Sequence, residues 1–454
     1  MDFLKIFFKN NSASNKRVLP KVETLKVVVV EFVEYGNYNF GQGLVRLLQK
    51  NSYFDVKYFT EPFDKNFLSL QGRHFFDLFD AGNKILQKLN ADVVIWGYQE
   101  EANIRLNFQT ANAYSDWDNV TCSILDSLYI PAEQFEHINF FPESLLNLII
   151  GGIAVSISNQ RIDLRHLKQK LLKNVITEFS TTGPQSDNKY MLSSCSMNII
   201  GLVYLSYSEK EFASKNFTMV KELFQNAFLY KNQIMQNVHL GCIYKNLGQL
   251  YETALKNTIT EGNTWVMYKE AISNYRLAQR HIDHYNYPYD YALISFKLAQ
   301  LYFMYWNFIR DIDNLRIENL RIAIKYLKEA ENTYTQVSFP ELWSNIEGYL
   351  GRYLSLFGLH SKNNEISKYA IKSYKNQQSV YRKELYPVMW ARIQENIANV
   401  YYNMGKLSKD KISLTEAVNY YESALKVYEN KKMQKEITNV NNSIERVMRT
   451  FRSR

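Results

Sequence analysis

Three stretches of this chain begin alike: Pro288-Tyr289-Asp290-Tyr291-Ala292, Pro340-Glu341-Leu342-Trp343-Ser344 and Pro387-Val388-Met389-Trp390-Ala391. Their prolines lie 52 and 47 residues apart. Proline is accepted in the first turn of a helix, where its missing N–H had no partner in any case, so each stretch predicts a helix start. The three stretches stay in phase beyond their prolines. An aromatic three residues on is followed by an isoleucine at six: Tyr291/Ile294, Trp343/Ile346 and Trp390/Ile393. At ten and eleven come Leu298-Ala299, Leu350-Gly351 and Ile397-Ala398. Offsets of 3, 4 and 7 share one helical face, and the small residue marks where a neighbouring helix comes close.

A second helix is predicted in each unit, built on Ala, a bulky residue four later and Ala seven later. The sets are Ala271/Tyr275/Ala278, Ala323/Leu327/Ala330, Ala370/Tyr374/Gln377 and Ala417/Tyr421/Ala424, with Gln377 as the exception. A fixed period of this kind signals a repeat architecture, which overrides any element-by-element reading. An earlier pair, Asn198–Tyr207 and Phe217–Phe228, reads as a degenerate first unit.

These residues resemble the tetratricopeptide repeat, whose first helix carries an aromatic, a Leu-Gly pair and a Tyr, and whose second carries Ala, an aromatic and Ala. Leu247-Gly248 with Tyr251, Leu298-Ala299 with Tyr302, Leu350-Gly351, and Ile397-Ala398 with Tyr401 fill the first-helix slots. The unit is longer than the standard 34 residues. The surplus is read as extra turns before the Leu-Gly pair and a longer inter-helix loop such as 358–367. The Pro-x-x-Trp-Ala start and the lengthened unit together resemble a group of alphaproteobacterial tetratricopeptide proteins. That likeness implies a superhelical solenoid and no catalytic residues.

The N-terminal part has another rhythm. Leu25–Val33 is a continuous β-branched run, the mark of a strand buried on both faces. Phe40–Gln49 reads as helix, Phe54–Tyr58 as strand, His74–Leu89 as helix and Asp92–Trp96 as a buried strand ending at Gly97. Ile104–Phe108 and Val120–Tyr129 alternate as half-exposed antiparallel strands do. The order predicts a small α/β domain. Ala91-Asp92-Val93-Val94-Ile95-Trp96-Gly97 resembles the domain preceding the repeats in that bacterial group. More distantly, the topology is similar to the amino-terminal domain of the Tol-system propeller protein. The expected fold is thus α+β: a flexible basic tail over 1–20, the α/β domain over 21–131, connecting helices over 132–185, repeats over 186–432 and a capping helix over 433–454.

Composition sets the outer limits. The scarcity of Gly (17) and Pro (8) in 454 residues suits a helix-rich chain. The formal charge of +9 is spread along the chain and favours an acidic partner without naming one. Cys122, Cys195 and Cys242 are odd in number and far apart, which argues for a reducing compartment such as the cytoplasm. The apolar core of residues 1–9 is too short for a signal peptide. It reads as a frayed tail or as a peripheral membrane contact. Leu145–Ile157 is too short to span a bilayer and reads as a buried helix.

Chemistry-bearing residues do not converge. Gly41-Gln42-Gly43 sits between strand and helix, but Arg46 stands where a dinucleotide fingerprint needs its third Gly. His281 and His284, near Asp283 and Asp290, lack the company of a metal site and read as surface histidines near a helix end. His74 with Asp77 and Asp80 has no nucleophile beside it. Glu31, Glu34, Glu100 and Glu101 fall at the ligand side of an α/β sheet and read as a solvated edge. No catalytic, cofactor or metal residue is assigned. The 34 tyrosines and 27 phenylalanines recur at repeat-core slots, so RNA stacking is disfavoured. A repeated polar pair at exposed positions is not found. The reading is a non-enzymatic scaffold or adaptor for a protein or peptide; the alternatives are a ligand-sensing or enzymatic α/β domain, and RNA binding.

Overall fold

The computed structural model describes residues 23–452 apart from 33–38, 62–73, 101–102, 112–121, 137–140, 160, 183–193, 208–213, 230–236, 258–263 and 310–312. The proposed tail and the membrane contact at residues 1–9 lie outside the described residues. The chain divides into two compact units, one holding most of residues 1–210 and the other most of 234–454.

The first unit is built on a five-stranded sheet of β1 (Leu25–Val30), β2 (Phe54–Phe59), β3 (Val93–Glu100), β4 (Asn103–Gln109) and β5 (Leu128–Pro131), in the order β2-β1-β3-β4-β5. β1 pairs in parallel with β2 and β3, Val27 lying opposite both Val56 and Val93. β3–β4–β5 is antiparallel, with Gly97 opposite Leu106. Helices α1 (Phe40–Gln49) and α2 (His74–Leu89) make the two parallel crossovers. Beyond β5 come α3 (Glu133–Glu136), α4 (Glu143–Ser156), α5 (Arg165–Thr182) and α6 (Ser194–Tyr207).

Three expectations change here. The expected half-exposed strand at 104–108 is buried along its length. Successive side chains leave a strand on opposite faces, and each face of β4 has its own cover. Phe108 packs against Gly152 of α4, whereas Gln109 donates to the Phe79 carbonyl of α2 at 2.8 Å. Of the described part of the alternating run, 122–129, only Leu128 and Tyr129 are in a strand. Before it, Asp126 N–H turns back to the Ser123 carbonyl and the Asp126 carboxylate accepts from Ser123 N–H. The expected first repeat pair also differs, because α6 packs against α4, α5 and β5.

After α7 (Ser214–Leu229), the second unit is a run of helix pairs: α8 (Asn237–Lys256) with α9 (Thr264–His281), α10 (Pro288–Phe308) with α11 (Asp313–Glu331), α12 (Pro340–His360) with α13 (Asn364–Val380), and α14 (Pro387–Ser408) with α15 (Lys411–Asn430). Each second helix packs on the next first helix, and α16 (Gln434–Arg452) closes the run on α15. The proline linkers are built alike. The N–H before each proline returns to the carbonyl four residues earlier: Tyr287 to Asp283, Phe339 to Thr335, Tyr386 to Arg382. The backbone N–H groups of Tyr291, Trp343 and Trp390 then donate to the carbonyl just before the proline, at 2.9 Å in each case. That carbonyl starts the helix, and proline at the first helical position loses nothing.

Within the pairs, the small residue fills the role assigned to it. A Cβ on Gly248 would meet the Tyr275 ring at 2.9 Å, and one on Gly351 the Tyr374 ring at 2.9 Å. Gln377, the exception in the Ala series, is buried, and its amide lies 2.5 Å from where a Cβ on Gly348 would be. A larger side chain on one helix is matched by a missing one on the other. The long loop expected at 358–367 is instead three residues, 361–363. Lys362 there takes a left-handed φ of 53°, and Asn363 caps α13 by accepting from Glu365 and Ile366 N–H. Lys409 and Asp410 repeat the device before α15. The surplus length of the unit therefore lies in longer helices.

Gly351→Leu is expected to force α12 off Tyr374 and to cost about 1–3 kcal/mol, as overpacking does. A lower urea midpoint at unchanged slope would check it.

Candidate functional site

Among the described residues, the carboxylate most displaced from ordinary behaviour is Glu252 of α8. It is buried with Lys297 of α10, also buried, at 3.1 Å. Lys256 lies at 2.7 Å and the Tyr275 hydroxyl of α9 donates at 2.8 Å. Burial alone would raise its pKa. The two ammonium groups and the hydrogen bonds overcome that and hold it at about 2. The three groups that contact the carboxylate are donors and hold it ionised. The cluster ties three helices together.

A second group of polar contacts recurs between successive pairs. At each junction the eighth residue after the Ala of one helix meets the seventh after the Pro of the next. At the α9–α10 junction Gln279 Nε2 donates to Ser295 Oγ at 2.7 Å. At α13–α14 Gln394 Nε2 donates to Gln378 Oε1 at 3.1 Å. At α11–α12 the pair is Glu331 and Glu347, within hydrogen-bonding reach of each other. Sequence reading finds no repeated polar pair because one member of each pair is buried and the other half-buried, facing each other rather than solvent. Glu347 accepts from Asn376 Nδ2 at 2.6 Å, but its Oε2 is buried without a hydrogen bond. Burial and the neighbouring Glu331 raise its pKa above the ordinary glutamate range.

The first and third junctions share further features. Arg276, Gln279, Ser295 and Tyr302 recur 99 residues later as Lys375, Gln378, Gln394 and Tyr401. Each tyrosine stacks on another from the following helix: Tyr302 on Tyr326 at 5.8 Å and Tyr401 on Tyr420 at 5.5 Å. Burial raises all four phenols, Tyr326 to about 12, so they keep their protons at neutral pH. The third junction opens into a depression of about 440 Å³ lined by Lys375, Gln378, Ser379, Gln394 and Tyr420.

Elsewhere the second unit exposes aromatic surface. Trp265 and Phe308 are 44% and 46% exposed, and Tyr305 and Tyr268 join them ring to ring at 5.3–5.5 Å. Lys269 sits over the Trp265 ring at 4.1 Å. Exposed linked aromatics of this kind are uncommon on surfaces that meet only water.

The other candidates stay apart. His281 stacks on Tyr244 and His284 meets Tyr291 edge-on. Asp283 is occupied by the N–H groups of Tyr285 and Asn286, and Asp290 is buried in α10. Among the described residues no three His, Cys, Asp or Glu could together hold a metal ion. Asn39 caps α1 by accepting from Gln42 N–H and from the Tyr58 hydroxyl, and the Tyr58 ring covers Gly41. Glu31 is half-buried, Glu34 and Glu101 fall outside the described residues, and of His74, Asp77 and Glu100 only the backbone is described. Asp80 lies exposed on α2. Cys122, Cys195 and Cys242 are buried. Among the described residues no helix is long and apolar enough to cross a membrane.

No protein-family model matches the chain, and no curated protein sequence matches it.

Two expectations test these assignments. Glu252→Gln leaves Lys297 buried without its counter-charge and is expected to cost about 3–5 kcal/mol. Because the Glu252 pKa is lowered on folding, its contribution is complete above the ordinary glutamate range and fades as pH falls toward about 2. Glu347 has the opposite sign. Its raised pKa makes its contribution complete at low pH and lost as pH rises through that value. Glu347→Gln should remove this component and gain on the order of 1 kcal/mol at neutral pH, read from urea midpoints across a pH series.

Proposed function

We propose that this chain is a non-catalytic adaptor whose helix pairs form a superhelical solenoid of lengthened tetratricopeptide type, receiving a protein or peptide partner. The observation that carries the reading is the exposed pair Trp265 and Phe308, joined ring to ring through the buried Tyr305 and Tyr268 and set on repeated helix pairs. Stacked pairs present extended surfaces that suit a partner larger than a metabolite. Large aromatics at a surface are also the residues from which binding hot spots are made. The net charge of +9 favours an acidic partner. Three buried thiols suit a reducing compartment, and the proposed location is the cytoplasm. The helices of one unit, 21 and 17 residues in α12 and α13, already exceed the 34 residues of the standard repeat.

The test is affinity capture with the full chain and with a Trp265→Ala/Phe308→Ala variant, after circular dichroism shows both folded alike. A specific protein retained by the parent and depleted at least tenfold by the variant is the expected outcome. Equal capture by both, or retention that ribonuclease abolishes, counts against the adaptor reading.

A further inference from the structure

Cations that are spread along the sequence are gathered by the repeat onto one face of the second helices. In α9, α11 and α13 the first residue of the Ala series, the residue four later and the residue seven later are all buried, on the side packed against the first helix of the pair. At 3.6 residues per turn, the positions two before that alanine, two after it and five after it point the opposite way. Two before it stand Lys269, Arg321 and Lys368, and five after it stand Arg276, Lys328 and Lys375. Between them lie Lys325 on α11 and Lys372 on α13, with Ser273 on α9. All eight cations are exposed. Lys and Arg are 54 of 454 residues, about one in eight, so eight basic residues at nine positions make a concentrated face. It stops at the fourth pair, where α15 has Thr415, Asn419 and Glu422 at the same positions.

We propose that this basic face of α9, α11 and α13 docks an acidic segment of a protein partner. The chain's own carboxylates show how the face takes such groups. Glu318 holds Arg321 with both oxygens, at 2.8 Å to Nε and 2.7 Å to Nη2, and Glu365 meets Lys368 at 2.6 Å. Glu329 reaches Lys325 at 3.8 Å from the flank. Among the described residues no acid pairs with Lys328, Lys372 or Lys375. A single exposed ion pair contributes little, so such a face acts through number and register, which suits a run of carboxylates rather than one small anion. None of the nine positions carries a ring, whereas a single-stranded nucleic acid is held by aromatic platforms set among the cations. Lys269 lies over the Trp265 ring at 4.1 Å, which joins the face to the exposed aromatic pair. The docking face rests on the adaptor reading and names the charge that the partner brings.

The experiment is fluorescence anisotropy on the full chain at physiological salt, where exposed charges are screened beyond roughly 8 Å. The probes are a labelled dodecapeptide of alternating Glu and Ser and a labelled oligouridylate of equal charge, with co-sedimentation on phosphatidylserine–phosphatidylcholine vesicles alongside. The parent should bind the peptide more tightly than the oligouridylate and should not sediment with the vesicles. A Lys328→Glu/Lys372→Glu/Lys375→Glu variant should weaken peptide binding about tenfold or more, because three exposed charge contacts turn repulsive together. A Lys406→Glu/Lys426→Glu/Lys435→Glu variant makes the same charge change outside the face and should alter binding less than threefold. All six lysines are exposed, so both variants should keep the parent's circular dichroism spectrum. The proposal is overturned if the two variants weaken binding alike, since net charge would then explain both. It is equally overturned if oligouridylate or vesicles bind the parent more tightly than the peptide and lose that binding in the first variant, since the face would then serve a nucleic acid or a membrane. Absence of peptide binding alongside Trp265-dependent partner capture would sink the docking face and leave the adaptor reading standing.

Discussion

Two helix pairs in the second unit close where a glycine of the first helix meets a tyrosine ring of the second. Gly248 under Tyr275 and Gly351 under Tyr374 bring the backbones close enough for the flanking residues to interlock, and Ala299 and Ala398 hold the equivalent positions. Core packing at this density leaves no room for an extra methylene without moving a helix. The constraint runs both ways across the contact. Gln377 is tolerated in a series of alanines because Gly348 yields the volume it needs. The proline linkers then fix how one pair succeeds the next, through the same two backbone hydrogen bonds at each of three sites.

With the apolar contacts repeated, individuality lies in the polar groups between pairs. Gln279–Ser295 and Gln378–Gln394 are neutral and mutually satisfied. Glu331–Glu347 puts two acids in the same place, and the buried member is held toward its neutral form chiefly by burial, with repulsion from Glu331 adding to it. Glu252 and Lys297 do the reverse, pairing opposite charges out of water with Tyr275 and Lys256 completing the shell. A buried charge removed from its partner is costly, so such clusters hold one register against others. The same scaffold thus carries an ion pair, an acid pair, two neutral bridges and an open depression.

Much of this is legible in the unfolded chain. The phase of Pro, aromatic, Ile and Leu-Gly locates the starts of α10, α12 and α14, and the Ala series locates the second helices. His74–Leu89 and Phe40–Gln49 are readable as helices from their apolar spacing. The window 358–367 reads as a long loop because polar residues such as Lys362 and Asn363 look like loop, whereas a left-handed residue and one cap turn the chain within three residues. Ile104–Phe108 alternates like a half-exposed strand, yet Arg105, Asn107 and Gln109 are buried. Alternation reports polarity, and polar groups can be buried where the tertiary fold supplies partners, as Ser127 and Tyr98 do for Arg105 and the Phe79 carbonyl does for Gln109; the Asn107 amide is buried without a hydrogen bond.

The sequence by itself determined the repeat, its length, its helix starts and the small-against-large contacts, because those depend on residues near each other along one helix or at a fixed period. Only the tertiary structure decided what the polar residues do. Glu252 and Lys297 lie 45 residues apart, and Glu331 and Glu347 belong to different pairs. Neither composition nor spacing says which charged side chain finds a counter-charge and which position is left open. That depends on which helix faces the packing brings together, and on the large free-energy difference a buried charge feels with and without a partner.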